Sequence, residues 1–569
     1  VTRRLVIAIA GALLLGSCAN IPQQTSPQIV PNSEAKPPRV IQEPTKDADA
    51  ISVVRDFIKH SGDTAVAVLY LTEEARKVWR PDSQPTIIED DFNTVPEPVD
   101  RESDPNQTSV EVKGTKVGWL NSHKSFVSQA GSHDQTIKLA KRQDGQWRIA
   151  ELPGNGLVIQ VSQFRASYRP VKLYFYDVTR SVLVPDLRYL PGSPVAASAS
   201  DIIRLLLEGP ATGLEGAVHN VLPATAVMRT NVSAAKAGGT VVNLGDLGSL
   251  TAEDKELISE QVVLSLQDVT TTVVLQVEGL PLMADRPELK TTDVVNPNSR
   301  TTPSAQQFGM MVVNNKLRSL KDNSAIPHPA GEYKVESAAQ SIDGTQLAVV
   351  ERTNQGLQLK VGGIDEGLRP VLNATTDMTR PTWQFGLTTN QIGNEVWTVA
   401  DGAVVRTSRT KENTWSNLPV DQGELALYGK ITELRLSRDG VRVAVVAGGK
   451  LYVGAVARTD GGTTVKIAAP KLLPMVSNVV GVDWLDQNTV AVATNTASAP
   501  VWRVPIDGVD AESYSLANLT LPLTAITAEP SRSVVVTDAV GMWAVSAIGQ
   551  IWLPHPANQG PNARPFYPG

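Results

Sequence analysis

The chain has 569 residues, 41% of them hydrophobic and 19% charged, with a formal net charge of −6 and one cysteine. This is a globular composition with room for about three or four domains and sizeable cores, and a lone cysteine excludes an intrachain disulfide. The acidic balance, with no basic patch anywhere, argues against nucleic acid or an anionic lipid surface as electrostatic partners.

The N-terminus reads as a secretory signal over residues 1–17. A basic n-region, Arg3 and Arg4, precedes an apolar run, Leu5 to Leu15. Eleven residues at ~1.5 Å each make a helix of about 16 Å, half of the ~30 Å hydrocarbon core, so the run is too short to stay as a span. Leu15, Gly16, Ser17 and Cys18 resemble a bacterial lipobox, in which the Cys18 thiol takes diacylglycerol and becomes the first mature residue. The competing reading, an ordinary signal with an incidental cysteine, is the weaker one. Val1 is read as a non-standard start. Removing Arg3 and Arg4 takes two positive charges from −6 and leaves −8. Each buried CH2 of an acyl chain contributes about 0.8 kcal/mol, so two or three chains on Cys18 hold a protein to the outer face of the cell membrane. No later stretch is apolar enough to cross it.

Residues 18–48 are the lipid-anchored tether: Pro22, Pro27, Pro31, Pro37, Pro38 and Pro44 sit among polar residues without apolar periodicity. Such a segment reaches roughly 30 Å as a coil and about 90 Å as polyproline II. Residues 49–162 then start helical. Ile51, Val54, Phe57 and Ile58 recur at helical spacing, Ser61 and Gly62 interrupt, and a second helical stretch runs through Leu69 and Ala75 to Trp79 before Pro81. An acidic, proline-containing loop leads to β-rich segments at 108–119, 124–129, 135–140 and 146–151, with Asp144-Gly145 as a hairpin turn. The order predicts an N-terminal α+β domain of the nuclear-transport-factor or cystatin kind, with a structural or interaction role, because His60, His123 and His133 are scattered.

Residues 163–290 make a second α+β unit. Expected here are a strand at 171–176, a helix at 201–208 capped by Ser200 and ended by Gly209-Pro210, and a strand at 241–244. Thr251 with Asp254 forms a capping box for a helix that buries Ile258, Val262 and Leu266, and a strand at 272–278 closes at Gly279. The runs Leu205-Leu206-Leu207-Glu208-Gly209-Pro210, Val242-Asn243-Leu244 and Val277-Glu278-Gly279-Leu280-Pro281 resemble the GerMN domain of sporulation and germination proteins. That resemblance implies an interaction module rather than an enzyme. Its Gly-Pro and Glu-Gly positions read as helix ends and turns.

After a linker at 291–307, residues 308–560 repeat. Ser341-Ile342-Asp343-Gly344 before a hydrophobic strand returns as Ser437-Arg438-Asp439-Gly440, and Ser341, Trp383, Ser437, Trp484 and Ile526 follow one another at steps of 42, 54, 47 and 42 residues. Periods of about 40–50 residues holding several short strands mark the blades of a β-propeller. Five markers give about five blades. A sixth would need the strand near 309–314 as an extra blade; the favoured reading pairs that strand with those near 542–552 to close the ring. Seven of the ten tryptophans lie after residue 380, where large rings pack between blades. The turns resemble those of TolB-like propellers and give Asp343 and Asp439 a structural role. Packing outweighs carbohydrate binding for Trp383 and Trp484.

Catalytic and metal signatures are missing: no His-Glu-x-x-His, no Gly-x-Ser-x-Gly, no phosphate loop around Gly154 and Gly156, no metal-ligand spacing. The chain is therefore read as no enzyme, with no cofactor and no metal, although carboxylates brought together at a propeller mouth would escape such a search. The order of lipobox, proline-rich tether, α+β domain, GerMN-like domain and propeller is similar, over essentially the whole chain, to the actinobacterial LpqB lipoproteins. That resemblance implies an accessory lipoprotein contacting the extracellular part of the sensor histidine kinase MtrB in a two-component system, with effects on cell division and envelope homeostasis. It carries no partner-binding positions residue by residue. Two other readings remain open: a module binding peptidoglycan or another envelope polymer, and a propeller hydrolase.

Overall fold

A computed structural model describes residues 43–81, 84–98, 104–153, 157–192, 195–235, 238–294, 301–384 and 394–569. Arg3, Arg4, Leu15, Gly16, Ser17 and Cys18 lie outside them. Among the described residues no helix is long and apolar enough to cross a membrane.

The N-terminal domain opens with α1 (Ala50–His60), capped by the Asp49 carboxylate on the Ser52 amide and burying Val53, Val54, Phe57 and Ile58. The second helical stretch is broken. Asp63 caps α2 (Thr64–Ala67), and Thr72 caps α3 (Glu73–Val78) after an intervening 3-10 turn. Five strands follow: β1 (Thr86–Pro96), β2 (Gln107–Leu120), β3 (Phe126–Lys141), β4 (Trp147–Glu151) and β5 (Val158–Gln160), in the order β4-β3-β2-β1-β5. The expected acidic loop is thus partly the strand β1. Its register with β2 shifts between Ile88 and Phe92, so Glu89, Asp90 and Asp91 fall in an exposed irregularity and hide the period-2 pattern. The two expected strands at 124–129 and 135–140 are one, β3. Ile88, Val110, Val112, Ile137, Leu139 and Ile149 pack this sheet on the apolar face of α1.

A short helix, α4 (Val161–Ser167), leads into the hairpin of β6 (Tyr168–Asp177) and β7 (Leu183–Pro191), followed by α5 (Val195–Glu208). The last of these starts earlier than expected. Good helix formers such as Ala196, Ala197 and Ala199 carry it through Ser200, whose hydroxyl accepts from the Val232 amide instead of capping. It ends at Gly209, φ +94°, a left-handed position that glycine fills without strain. β8 (Val218–His219) joins the β6–β7 sheet. β9 (Val227–Met228), β10 (Ser233–Ala234), β11 (Thr240–Gly245), β12 (Thr272–Val277), β13 (Leu280–Pro281) and β14 (Leu289–Lys290) form a second sheet centred on the parallel pair β11–β12. Between them α6 (Ala252–Leu266) starts with the expected Thr251–Asp254 capping box and buries Ile258, Val262 and Leu266.

Among the described residues the propeller has six sheets. Four-stranded blades 1 to 5 have the inner strands Val335–Gln340, Thr382–Trp383, Ile431–Leu436, Val479–Asp486 and Ala525–Thr527. The five sequence markers stand in or just after these inner strands. The sixth blade corrects the favoured reading. Met310–Val313 pairs with Lys316–Ser319 and with Arg564–Phe566, not with the strand Met542–Val545, so the two ends of the domain make a separate three-stranded sheet. Its inner strand, Arg564–Phe566, lies beyond residue 560 and contacts the inner strands of blades 5 and 1, closing the ring. Phe566, 1% exposed, packs in the core that also buries Met310, Val312 and Leu317. Residues 44–569 form one unit.

Candidate functional site: the propeller channel and the domain junction

The Ser-x-Asp-Gly turns are structural. Asp343 accepts from the Ser341 hydroxyl at 2.5 Å and the Thr345 amide at 3.1 Å, and Asp439 accepts from the Ser437 hydroxyl and the Val441 amide. Trp383 and Trp484 clasp neighbouring blades: their indole N–H groups donate to the carbonyls of Ala339 and Arg435, each on the preceding inner strand, at 3.0 Å. They are 3% and 1% exposed, so neither offers a face to a sugar.

Inside the ring the inner strands carry charge. Glu433 and Arg435 are two apart on blade 3, hence on one strand face; Asp483 is on blade 4, and Arg380 precedes the inner strand of blade 2. Arg380 Nη2 lies 3.2 Å from Asp483 Oδ2, which also accepts from the Thr527 hydroxyl (2.8 Å) and the Ala528 amide (3.2 Å). Arg435 Nη2 lies 2.5 Å from Glu433, and Arg435 Nη1 donates to the carbonyls of Arg380 and Leu434. Arg438, in the turn after the same strand, donates to the carbonyls of Trp484, Ala528 and Pro568. Burial works to raise the Asp483 carboxyl, but Arg380, Arg438 and Arg435 outweigh it and hold the group below the usual carboxylate range. Burial, with Arg380 close by, pushes Arg435 down to about 10. A cavity of about 350 Å³ opens at this end of the channel, lined by residues of all six blades.

The second constellation is the hairpin strand β7, where the three domains meet. Arg188, fully buried, lies 2.5 Å from Asp186 and donates to the carbonyl of His123 in the N-terminal domain and to that of Gly209 at the end of α5. Asp186 also accepts from the Ala211 amide. On the propeller side, Arg442 donates to the Pro185 carbonyl, Gln487 to the Leu183 carbonyl, and the Tyr189 hydroxyl to Asp507 at 2.6 Å. Lys471 bridges the Phe126 and Asp507 carbonyls, and Arg165 on α4 pairs with Asp510 at 2.9 Å. Burial raises the Asp507 carboxyl, and burial pushes Lys471 down to about 8. Val441 and Ala455 of blade 3 pack into the core of the middle domain. Charged groups so enclosed bind the domains through paired, hydrogen-bonded contacts.

The histidines of the N-terminal domain do not converge, and among the described residues no cluster of His, Cys, Asp and Glu has the make-up of a metal site. Glu278, on the GerMN-like motif, accepts the Arg229 guanidinium at 2.7 Å and the Asp246 amide. Arg188, Tyr189, Asp507, Arg380 and Arg435 escaped the sequence search. Arg188 and Arg435 leave one signal, a charge inside a strand rich in Leu; Tyr189, Asp507 and Arg380 leave none.

Comparison with known proteins matches each of these parts. The model of the LpqB N-terminal domain matches residues 43–165, the Germane model, described as sporulation and spore germination, residues 172–283, and the model of the LpqB β-propeller domain residues 316–568. A protein named Lipoprotein LpqB from Mycolicibacterium smegmatis is 30% identical over 604 aligned positions, covering 100% of both chains. The chain belongs to the LpqB lipoprotein family. Proteins of the same name from Rhodococcus opacus (29% identical, 99% of this chain and 97% of the relative) and Mycobacterium tuberculosis (28%, 100% and 99%) are similar over the same extent. These relatives align with the chain from end to end, and each is named a lipoprotein.

Proposed function

We propose that this chain is a lipid-anchored accessory protein on the outer face of the cell membrane that binds the extracellular part of an MtrB-like sensor histidine kinase and biases its signalling, with consequences for cell division and envelope homeostasis. The observation that carries the reading is the end-to-end match to proteins named as LpqB lipoproteins. The Cys18 motif supplies the anchor, and the buried β7 junction supplies a stiff body to present at the end of the tether. Two proteins confined to one leaflet see each other at an effective concentration of roughly millimolar, so a weak contact is enough. Preference for one kinase conformation then shifts its equilibrium by the difference in affinity, without chemistry. Burial of Trp383 and Trp484 weighs against polymer binding through those two rings.

The test uses membrane vesicles holding the kinase, with wild-type protein and a Cys18→Ser form. Expected are co-purification of wild type with the kinase, a changed rate of kinase phosphorylation, and loss of both at native abundance for Cys18→Ser. A null strain rescued by the unanchored form at normal abundance, or a phosphorylation rate indifferent to the wild-type protein, refutes the reading.

A further inference from the structure

We propose that the cavity at the mouth of the propeller channel is a binding site for a small ligand bearing one carboxylate. Its volume of about 350 Å³ falls within the range of small-molecule sites, about 300–1,000 Å³. Three buried donors that line it have no hydrogen-bond partner among the described residues: Ser337 Oγ, Arg380 Nε and Arg435 Nε. Buried donors are nearly always satisfied, and three orphans in one cavity call for an acceptor. The carboxylates already present are ion-paired: Asp377 to Lys430 at 2.5 Å, Glu336 to Arg352 at 3.2 Å, Asp483 to Arg380, and Glu433 to Arg435, with Glu433 Oε2 accepting no hydrogen bond among the described residues.

Charge narrows the class. Arg352, Arg380, Arg435 and Arg564 line the cavity against Glu336, Asp377 and Glu433. One positive charge in excess, in a chain whose net charge is −6, suits a monoanion better than a phosphate dianion. Guanidinium nitrogens suit a planar carboxylate, and the partly exposed Val480 offers a short apolar body a surface to lie on. The assignment is independent of the kinase reading, because it concerns a small molecule inside the ring.

The test is isothermal titration and thermal shift on the full chain in detergent, with benzoate, its neutral analogue benzamide, inorganic phosphate, and chloride at matched ionic strength. Expected is saturable binding of benzoate, about tenfold or more tighter than of benzamide or phosphate, with no response to chloride. The double substitution Arg380→Gln with Asp483→Asn removes a charge of each sign together and is expected to weaken benzoate by about tenfold or more. Ser337→Ala, which removes one donor and disturbs no bond, is expected to weaken it several-fold in protein that folds normally. Equal binding of benzamide, preference for phosphate, no saturable response to any probe, or benzoate affinity unchanged in folded Ser337→Ala and double-substituted protein overturns the assignment.

Discussion

Tyr189→Phe tests whether the β7 junction holds the domains together. The substitution deletes one hydroxyl and keeps the ring, which is 4% exposed and lies 5.0 Å from the Phe164 ring. What is lost is the 2.6 Å bond to Asp507. Hydrogen bonds to charged groups contribute about 1.5–3 kcal/mol. Asp507 keeps the Val509 amide at 3.1 Å and the charge of Lys471, so it is not left bare, and the expected loss is about 2 kcal/mol. Global unfolding of a multidomain chain does not return a single free energy, so the assay is native-state hydrogen exchange. The reporter is the Tyr189 amide, which donates to the Lys124 carbonyl across the domain boundary. About 2 kcal/mol corresponds to exchange roughly 30-fold faster at that amide, with inner-strand amides of blade 3 unchanged. In an Asp507→Asn background the acceptor is neutral, and the same substitution is expected to cost about half as much. Exchange within about twofold of wild type in the charged background would refute the claim that this bond clamps the domains.

Three further outcomes follow from the same geometry. The folded protein depresses Lys471 to about 8 from its ordinary 10.5, so its ammonium form opposes folding below pH 8, and that opposition is relieved as pH rises from 8 to 10.5; Lys471→Met is expected to flatten the stability profile in this window, measured by denaturant midpoints. Trp484→Phe removes the indole clasp to Arg435 and is expected to cost about 1–2 kcal/mol, whereas Trp484→Ala costs about 3–5, both read by the propeller's thermal transition; a Trp484→Phe transition unchanged from wild type would mean the clasp contributes nothing. Truncation after Ala563 deletes the inner strand of blade 6 and the Pro568 carbonyl that Arg438 uses, and is expected to expose apolar surface to a hydrophobic dye and abolish cooperative melting; an unchanged melting curve would refute ring closure by that strand.

Local signals were legible in the sequence, and signals spread across the chain were not. The Thr251–Asp254 capping box, the hydrophobic faces of α1 and α6 and the recurring Ser-x-Asp-Gly turns each sit within a dozen residues, and each appears where the periodicity puts it. The sixth blade joins Met310 to Phe566, and nothing near either residue reports the pairing. β1 was hidden because its acidic residues sit in a register irregularity. β7 was hidden because Asp186 and Arg188 read as surface residues although both are buried, paired with each other and, for Arg188, with a carbonyl of the N-terminal domain. Arg380 and Asp483 are hidden because each finds its partner on another blade, and Arg435 because its pair with Glu433 looks like ordinary alternation of exposed charge on a strand.

Stiffness at β7 bears on partner binding in a way that separates two forms of the kinase reading. If the partner contacts one domain, opening the junction leaves its affinity unchanged. If it contacts two, apparent affinity falls by the fraction of molecules with the junction closed. Tyr189→Phe alone does not discriminate, because about 2 kcal/mol leaves the junction closed wherever the wild type has more than that in reserve. Arg188→Met does. It strips the bonds to His123, Gly209 and Asp186 together and leaves Asp186 buried with the Ala211 amide, a change worth about 3–5 kcal/mol in comparable buried pairs. Affinity for the kinase ectodomain that survives Arg188→Met in protein with an intact propeller melt assigns the contact to a single domain. Affinity that falls with the closed fraction measured by hydrogen exchange at Tyr189 assigns it to a surface shared by two.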